Sequence, residues 1–258
     1  MSALGKQIRL NRIFSHPSGR ILAVAADHMI NYSIGMPEGL RRIGDTVRRI
    51  IEARPSSITL NKGVAARCMG ELAGRVPLII QQMAPRPGCD GFADHAEVEE
   101  AVAMGADAIA VAMFVKDPGE FEFLKRLSKT VREAERFGLP VIPHIYPVLR
   151  GENGAGFISD RAEDIAYAAR AGVEMGADVV KIPYTGDPAS FADIVSVTPI
   201  PVVTAGGPKC DTLEDAAAMM RDVVRSGAAG STVGRNVWGF PDIGEAIAVL
   251  KAALGIDR

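Results

Sequence analysis

The chain has 258 residues, 48% of them hydrophobic, enough to bury a large core in one α/β domain or two small ones. Lys and Arg total 29 against 31 Asp and Glu, which argues against a nucleic-acid or anionic-membrane face and points to a small-molecule partner. Cys68, Cys89 and Cys210 are odd in number and lack CxxC spacing, so neither a disulfide framework nor a zinc knuckle is expected, and a reducing cytoplasm is the natural compartment.

The first residues carry no apolar core of signal-peptide length, and no segment approaches about 18 continuous apolar residues, so a soluble protein is expected. Residues 1–20 read as an N-terminal extension that packs across the bottom of the fold or along a partner subunit. From there, short apolar runs recur at intervals of roughly 25 to 35 residues, separated by amphipathic segments of helical length. They are Ile21–Asp27, Ser57–Asn61, Leu78–Met83, Ala108–Phe114, Val141–Tyr146, Val179–Tyr184, Val202–Gly206 and Gly230–Arg235. Continuous apolar strands of this kind belong to parallel sheets covered on both faces.

Eight βα units in about 250 residues predict an α/β fold of the (β/α)8 or TIM-barrel type, a single catalytic domain over residues 21–258. An internal repeat supports this: Met104-Gly105-Ala106-Asp107, Met175-Gly176-Ala177-Asp178 and Ser226-Gly227-Ala228-Ala229 each precede an apolar run. In each, Gly ends a helix and small residues turn the chain into a strand. A doubly wound open sheet uses the same turn and stays the alternative at this point.

In a barrel, chemistry belongs at the C-terminal ends of the strands. Lys181 stands out there, because it lies within the apolar run Val179-Val180-Lys181-Ile182-Pro183. An ammonium so placed loses water, its pKa falls, and a neutral amine is what attacks a carbonyl to form a Schiff base. The bland alternative is a lysine that snorkels from the strand end or pairs with a carboxylate. Lys62 and Lys116 also follow apolar runs, but polar or glycine neighbours suit them to solvent or a substrate phosphate. Asp27, ending the first run, is a candidate proton-transfer group and counter-charge for an iminium, or else a cap for the turn at Met29–Tyr32. Tyr146 is a candidate acid/base for a substrate hydroxyl, or an ordinary core aromatic. His144 shares its face, two residues earlier on the same run.

Thr204-Ala205-Gly206-Gly207-Pro208-Lys209 follows the seventh run and Gly234-Arg235-Asn236 the eighth. Glycines let backbone N–H groups approach phosphate oxygens, and barrels often hold phosphate in these two loops, so Gly206, Gly207, Lys209, Gly234 and Arg235 are expected to bind one. The four histidines, His16, His28, His95 and His144, form no HxH or HExxH pair, so no metal and no cofactor are expected.

These features resemble the archaeal-type class I aldolases of the DhnA/DeoC/LacD group. The resemblance rests on Ala26-Asp27-His28, Asn61-Lys62-Gly63, Tyr146-Pro147, Val180-Lys181-Ile182-Pro183-Tyr184, Ala205-Gly206-Gly207-Pro208-Lys209 and Gly234-Arg235-Asn236-Val237-Trp238, and it spans about Gly19 to Leu250. The group includes fructose-bisphosphate aldolases, a synthase of the early archaeal aromatic pathway, and the thiolase that degrades the phosphorylated autoinducer-2 product. It implies a TIM barrel, Lys181 as the imine-forming lysine, Asp27 and Tyr146 as proton-transfer residues, a phosphate site at Gly206, Gly207, Gly234 and Arg235, and homo-oligomers that include decamers.

Two departures touch the substrate end. Met29-Ile30-Asn31-Tyr32 follows Asp27-His28 where fructose-bisphosphate aldolases of the group typically continue with Gly, and His144 stands where they tend to place a bulky aromatic. His28 and His144 are therefore candidate substrate contacts, with Arg150 and Asn153 in the loop beyond. The expected function is a class I aldolase acting on a phosphorylated ketose. The alternatives are a Schiff-base transferase on a phosphorylated ketone, using the same residues, and a sugar-phosphate-binding barrel such as an isomerase.

Overall fold

The computed structural model describes residues 2–31, 35–70, 73–85, 92–152 and 154–257. Cys89, Tyr32 and Asn153 lie outside them. Eight parallel strands form the barrel: β1 (Ile21–Ala25), β2 (Ser57–Asn61), β3 (Leu78–Pro85), β4 (Ala108–Val115), β5 (Val141–Arg150), β6 (Val180–Ile182), β7 (Val202–Ala205) and β8 (Gly230–Val233). Each pairs with its neighbours in sequence order, and β8 returns to β1, with Ile21 opposite Gly230 and Val24 opposite Val233. That pairing closes the sheet and removes the open doubly wound alternative. All eight apolar runs are strands, although β3 and β5 extend further and end in hairpins with the short strands Phe92–Asp94 and Gly156–Ile158.

Strand parity explains the core. Ile21, Ala23, Ile79, Ala108, Ala110, Ile142, Val179 and Val203 form one buried cluster inside the barrel, where alanines leave room for the opposing strands. Their neighbours, such as Leu22, Val24, Ile80, Ile109, Val180 and Val202, point outward and pack in a larger cluster with the surrounding helices. Those helices include α2 (Ile43–Glu52), α3 (Lys62–Cys68), α4 (Val98–Ala103), α5 (Glu120–Phe137), α6 (Ala162–Glu174), α7 (Pro188–Ser196), α8 (Leu213–Arg225), the short α9 (Arg235–Trp238) and α10 (Ile243–Leu254). Sequence signals set their ends: Thr212 and Asp215 form a capping box on α8, while Asp242 caps α10 and Gly255, at φ +66°, stops it.

Helix α1 (Ser2–Ile13) crosses the bottom of the barrel, one of the two placements expected for the extension. Ile13 is fully buried in the interior cluster, and Arg9 donates to the carbonyl of Gly138 at 3.0 Å. The repeated Gly-Ala-Asp has a structural role here. Gly105, Gly176 and Gly227 take φ of +74°, +84° and +75° to end their helices. Asp107 then accepts from the first N–H of β3 (Leu78, 3.1 Å) and Asp178 from the first N–H of β5 (Val141, 2.9 Å). The same carboxylates pair with Arg12 and Lys6 of α1, each at 3.1 Å. Among the described residues, no helix is long and apolar enough to cross a membrane.

Candidate active site

Lys181 projects into the barrel because it shares strand parity with Val179 below it and Pro183 above it. It is 5% exposed, lies in register with His144 of β5 and Val203 of β7, and lines a cavity of about 530 Å³ at the C-terminal mouth. Burial lowers its pKa to about 8, against a partial upward pull from the Asp27 carboxylate. At neutral pH such a lysine has a far larger neutral fraction than one in water.

Asp27, 3% exposed, continues β1 toward the same interior. Burial pushes its carboxyl up, but His28, by hydrogen bonding and charge, and then Lys181 and His144 outweigh that and hold it well below the usual carboxylate range. His28 Nδ1 stands 3.4 Å from Asp27 Oδ1, and the His28 ring meets Trp238 edge-on at a centroid distance of 5.2 Å. His144 is 3% exposed; burial, then the Lys181 charge, drive its imidazole well below the ordinary histidine range, with Asp27 opposing and His28 reinforcing. The result is an ionised carboxylate and a neutral imidazole flanking a buried, desolvated amine.

Tyr146 lines the cavity from β5, two residues above His144. The opposite wall is glycine. A Cβ on Gly206 would stand 2.8 Å from Cα of Val233, and one on Gly234 2.3 Å from Cε1 of His28, so neither position accepts a side chain without movement. Gly207 takes φ +66°, a left-handed conformation that turns the loop over the cavity. Arg235 reaches into the cavity and donates from Nη2 to the Gly207 carbonyl at 2.9 Å. The wall thus combines bare backbone with one guanidinium, a chemistry that suits phosphate oxygens.

Several side chains fall elsewhere than expected. Lys209 does not join this cavity: its ammonium sits 4.3 Å from the ring centroid of Phe240 and donates to the Cys210 carbonyl at 3.0 Å, lining a neighbouring cleft. The tail is drawn there by the aromatic face. Lys116 lies on the exposed side of its strand end, as one of the two expectations had it, but its ammonium is engaged rather than free. At φ +62° it turns back to pair with the fully buried carboxylate of Asp164, which also accepts from Ser159 Oγ at 2.6 Å. That network fixes Ser159 in the cavity wall. Lys62 pairs with Glu100, and Arg150 with Asp117 at 3.2 Å.

Three further contributors were not among the expected site residues, although two of them, Asn236 and Trp238, lie in the Gly234–Trp238 motif. Asn236, fully buried, donates from Nδ2 to the carbonyls of Gly206 and Pro208, both at 2.9 Å, and accepts from Cys210 N at 2.7 Å, which staples the β7 loop to the β8 loop. Trp238 donates from Nε1 to the Ala25 carbonyl at 2.9 Å, tying α9 to β1. His95 shares a 3.0 Å hydrogen bond with Asn61 Oδ1, and burial lowers its pKa against an upward pull from Asp27. A buried amide just after a glycine turn was the signal available for Asn236; His95 comes from a hairpin that periodicity does not reveal. No group of three or more His, Cys, Asp or Glu among the described residues is placed to hold a metal ion.

A family model described as DeoC/LacD family aldolase matches residues 21–239. The chain belongs to that family. A class 1 fructose-bisphosphate aldolase of Thermoproteus tenax is 34% identical to this aldolase over 83% of the chain and 78% of its own length. A 2-amino-4,5-dihydroxy-6-oxo-7-(phosphonooxy)heptanoate synthase of Streptomyces griseus is 31% identical over 93% of the chain and 86% of its own. A solved Schiff-base-forming fructose-1,6-bisphosphate aldolase superposes with a TM-score of 0.83 at 30% identity, covering 96% of this chain and 99% of that one. An archaeal fructose-1,6-bisphosphate aldolase whose catalytic Lys is covalently bound to a carbinolamine intermediate superposes with a TM-score of 0.82 at 29% identity, covering 96% and 99%.

Proposed function

We propose that this aldolase cleaves or forms a C–C bond of a phosphorylated ketose, fructose bisphosphate or a close analogue, through an imine on Lys181. The observation that carries the reading is the Lys181 amine itself, buried, lowered to about 8, and facing a cavity walled by Gly206, Gly207, Gly234 and Arg235. The glycine loops and Arg235 hold the substrate phosphate, which brings the ketone carbon to Nζ.

The neutral amine adds to the carbonyl to form a carbinolamine, and loss of water leaves an iminium. Its positive charge sits beside Asp27, which stays ionised at neutral pH and so acts as counter-charge and proton acceptor in preference to acid. Tyr146 takes the proton of the substrate hydroxyl as the adjacent C–C bond breaks. The bonding electrons pass into the iminium to give an enamine, and an aldehyde leaves. Protonation of the enamine carbon and addition of water then free Lys181 and the ketone. His28, in the cavity wall against Gly234, and His144, beside Lys181, stand at or next to positions where the chain departs from fructose-bisphosphate aldolases of its group, and they tune which sugar is accepted.

Residues 21–258 are the catalytic domain and residues 1–20 an extension beneath it. The enzyme works in the cytoplasm, as a homo-oligomer, without cofactor. A coupled assay for aldehyde release from fructose 1,6-bisphosphate, with and without a chelator, tests the reaction class. Turnover unaffected by chelation supports the reading; turnover abolished by the chelator and restored by zinc contradicts it. Turnover that requires an added acceptor favours the transferase chemistry.

A further inference from the structure

Beside the barrel mouth, a second cleft of about 810 Å³ opens between the turn Glu38–Leu40, the start of α2 and the loop that follows α9. Five cations border it: Arg41, Arg42, Arg49, Lys209 and Arg235, with two carboxylates, Glu38 and Asp45. Both carboxylates are already engaged three residues along the chain, Glu38 with Arg41 and Asp45 with Arg48, each at 3.1 Å. Arg42, Arg49 and Lys209 have no carboxylate partner among the described residues. Two of the three are nevertheless oriented. Arg49 donates from Nη2 to the Pro241 carbonyl at 3.0 Å, and Lys209 is held by the Phe240 ring and the Cys210 carbonyl. Five cations against two carboxylates leave the cleft an excess of positive charge, and a bound anion relieves the repulsion among them.

We propose that this cleft is a second anion site, which takes a small phosphorylated molecule other than the one held in the Lys181 cavity. Arg235 makes the two sites neighbours in energy as well as in space. It borders both cavities while it bonds the Gly207 carbonyl. An anion in the cleft draws on the guanidinium that also faces the barrel cavity, so each ligand weakens the other, and by linkage the effect is reciprocal. Only this coupling rests on the phosphate role proposed for the barrel cavity; the cleft site stands without it.

The test is equilibrium dialysis of the full-length protein against radiolabelled inorganic phosphate at constant ionic strength, with an Arg42→Ser/Arg49→Gln variant beside it. Arg42 is the exposed N-cap of α2, where Ser is a favoured residue, so the helix is retained; Arg42→Ser alone serves if the double variant fails to fold. The expected result is one fewer phosphate per chain in the variant, whether the barrel cavity binds phosphate or not. In the native protein, phosphate should also raise KM for fructose 1,6-bisphosphate by about fivefold more than in the variant, with kcat unchanged. Equal stoichiometry in the two proteins overturns the proposal. So does a variant that keeps its phosphate count but sediments as a smaller species, because the cleft is then a contact between copies of the chain.

Discussion

His144 of β5 and Lys181 of β6 are Cα partners across adjacent strands, and neither reaches bulk water. Burial lowers the lysine to about 8 and drives the imidazole far lower, so across the working range one titrates and the other does not. Only the neutral amine attacks, and it is lost as pH falls below about 8. The expected kcat/KM profile therefore falls roughly tenfold per pH unit on the acid side of a single limb near 8, with no histidine limb from His144. Steady-state kinetics between about pH 6 and about pH 9.5 check it, and a limb near the ordinary histidine range would contradict the assignment.

Asp27 pulls the Lys181 pKa upward, opposing burial. Replacing the carboxylate with the isosteric amide in Asp27→Asn removes that pull, so the acid limb should move to lower pH even as kcat falls by about 10²- to 10⁴-fold. The two effects have opposite consequences at low pH, which separates them from simple misfolding. An unshifted limb would show that the carboxylate does not act on the lysine.

Gly234→Ala places a methyl 2.3 Å from Cε1 and 2.6 Å from Nε2 of His28, and 3.0 Å from the Ala25 carbonyl. His28 is itself set against Trp238, so it has little room to retreat. The expected outcome is a loss of about 1–3 kcal/mol of stability, read by thermal unfolding, together with a KM raised at least about tenfold.

Asn236→Ala removes three hydrogen bonds at once and leaves the Gly206 and Pro208 carbonyls and the Cys210 N–H without that partner. A cost of about 2–4 kcal/mol is expected. Because the staple shapes the phosphate wall, kcat/KM should fall for a phosphorylated ketose and change little for the unphosphorylated sugar. Lys209→Met, by contrast, should leave the KM for that substrate within about twofold, since its ammonium rests on Phe240 outside the cavity.

The eight apolar runs and the Gly-Ala-Asp turns made the barrel legible, because strand parity and helix ends are local properties. Lys181 was legible for the same reason: a charge in an apolar strand must face either an interior or a partner. What escaped depends on contacts far apart in the chain. Lys116 finds Asp164 48 residues away, after a left-handed backbone turn that no neighbouring residue announces. Lys209 follows two glycines at the expected phosphate wall, yet Phe240 offers its ammonium a closer surface. The hairpin that carries His95 toward Asn61 breaks the βα rhythm, so the spacing of the apolar runs gave no sign of it.

Imine formation on Lys181 is open to direct chemical trapping. The protein is incubated with fructose 1,6-bisphosphate or dihydroxyacetone phosphate, reduced with borohydride, digested and mapped by mass spectrometry. A single reduced adduct on Lys181 is expected, absent from Lys181→Met and from unreduced controls. An adduct on Lys62, Lys116 or another lysine, or none with either substrate under turnover, would contradict it.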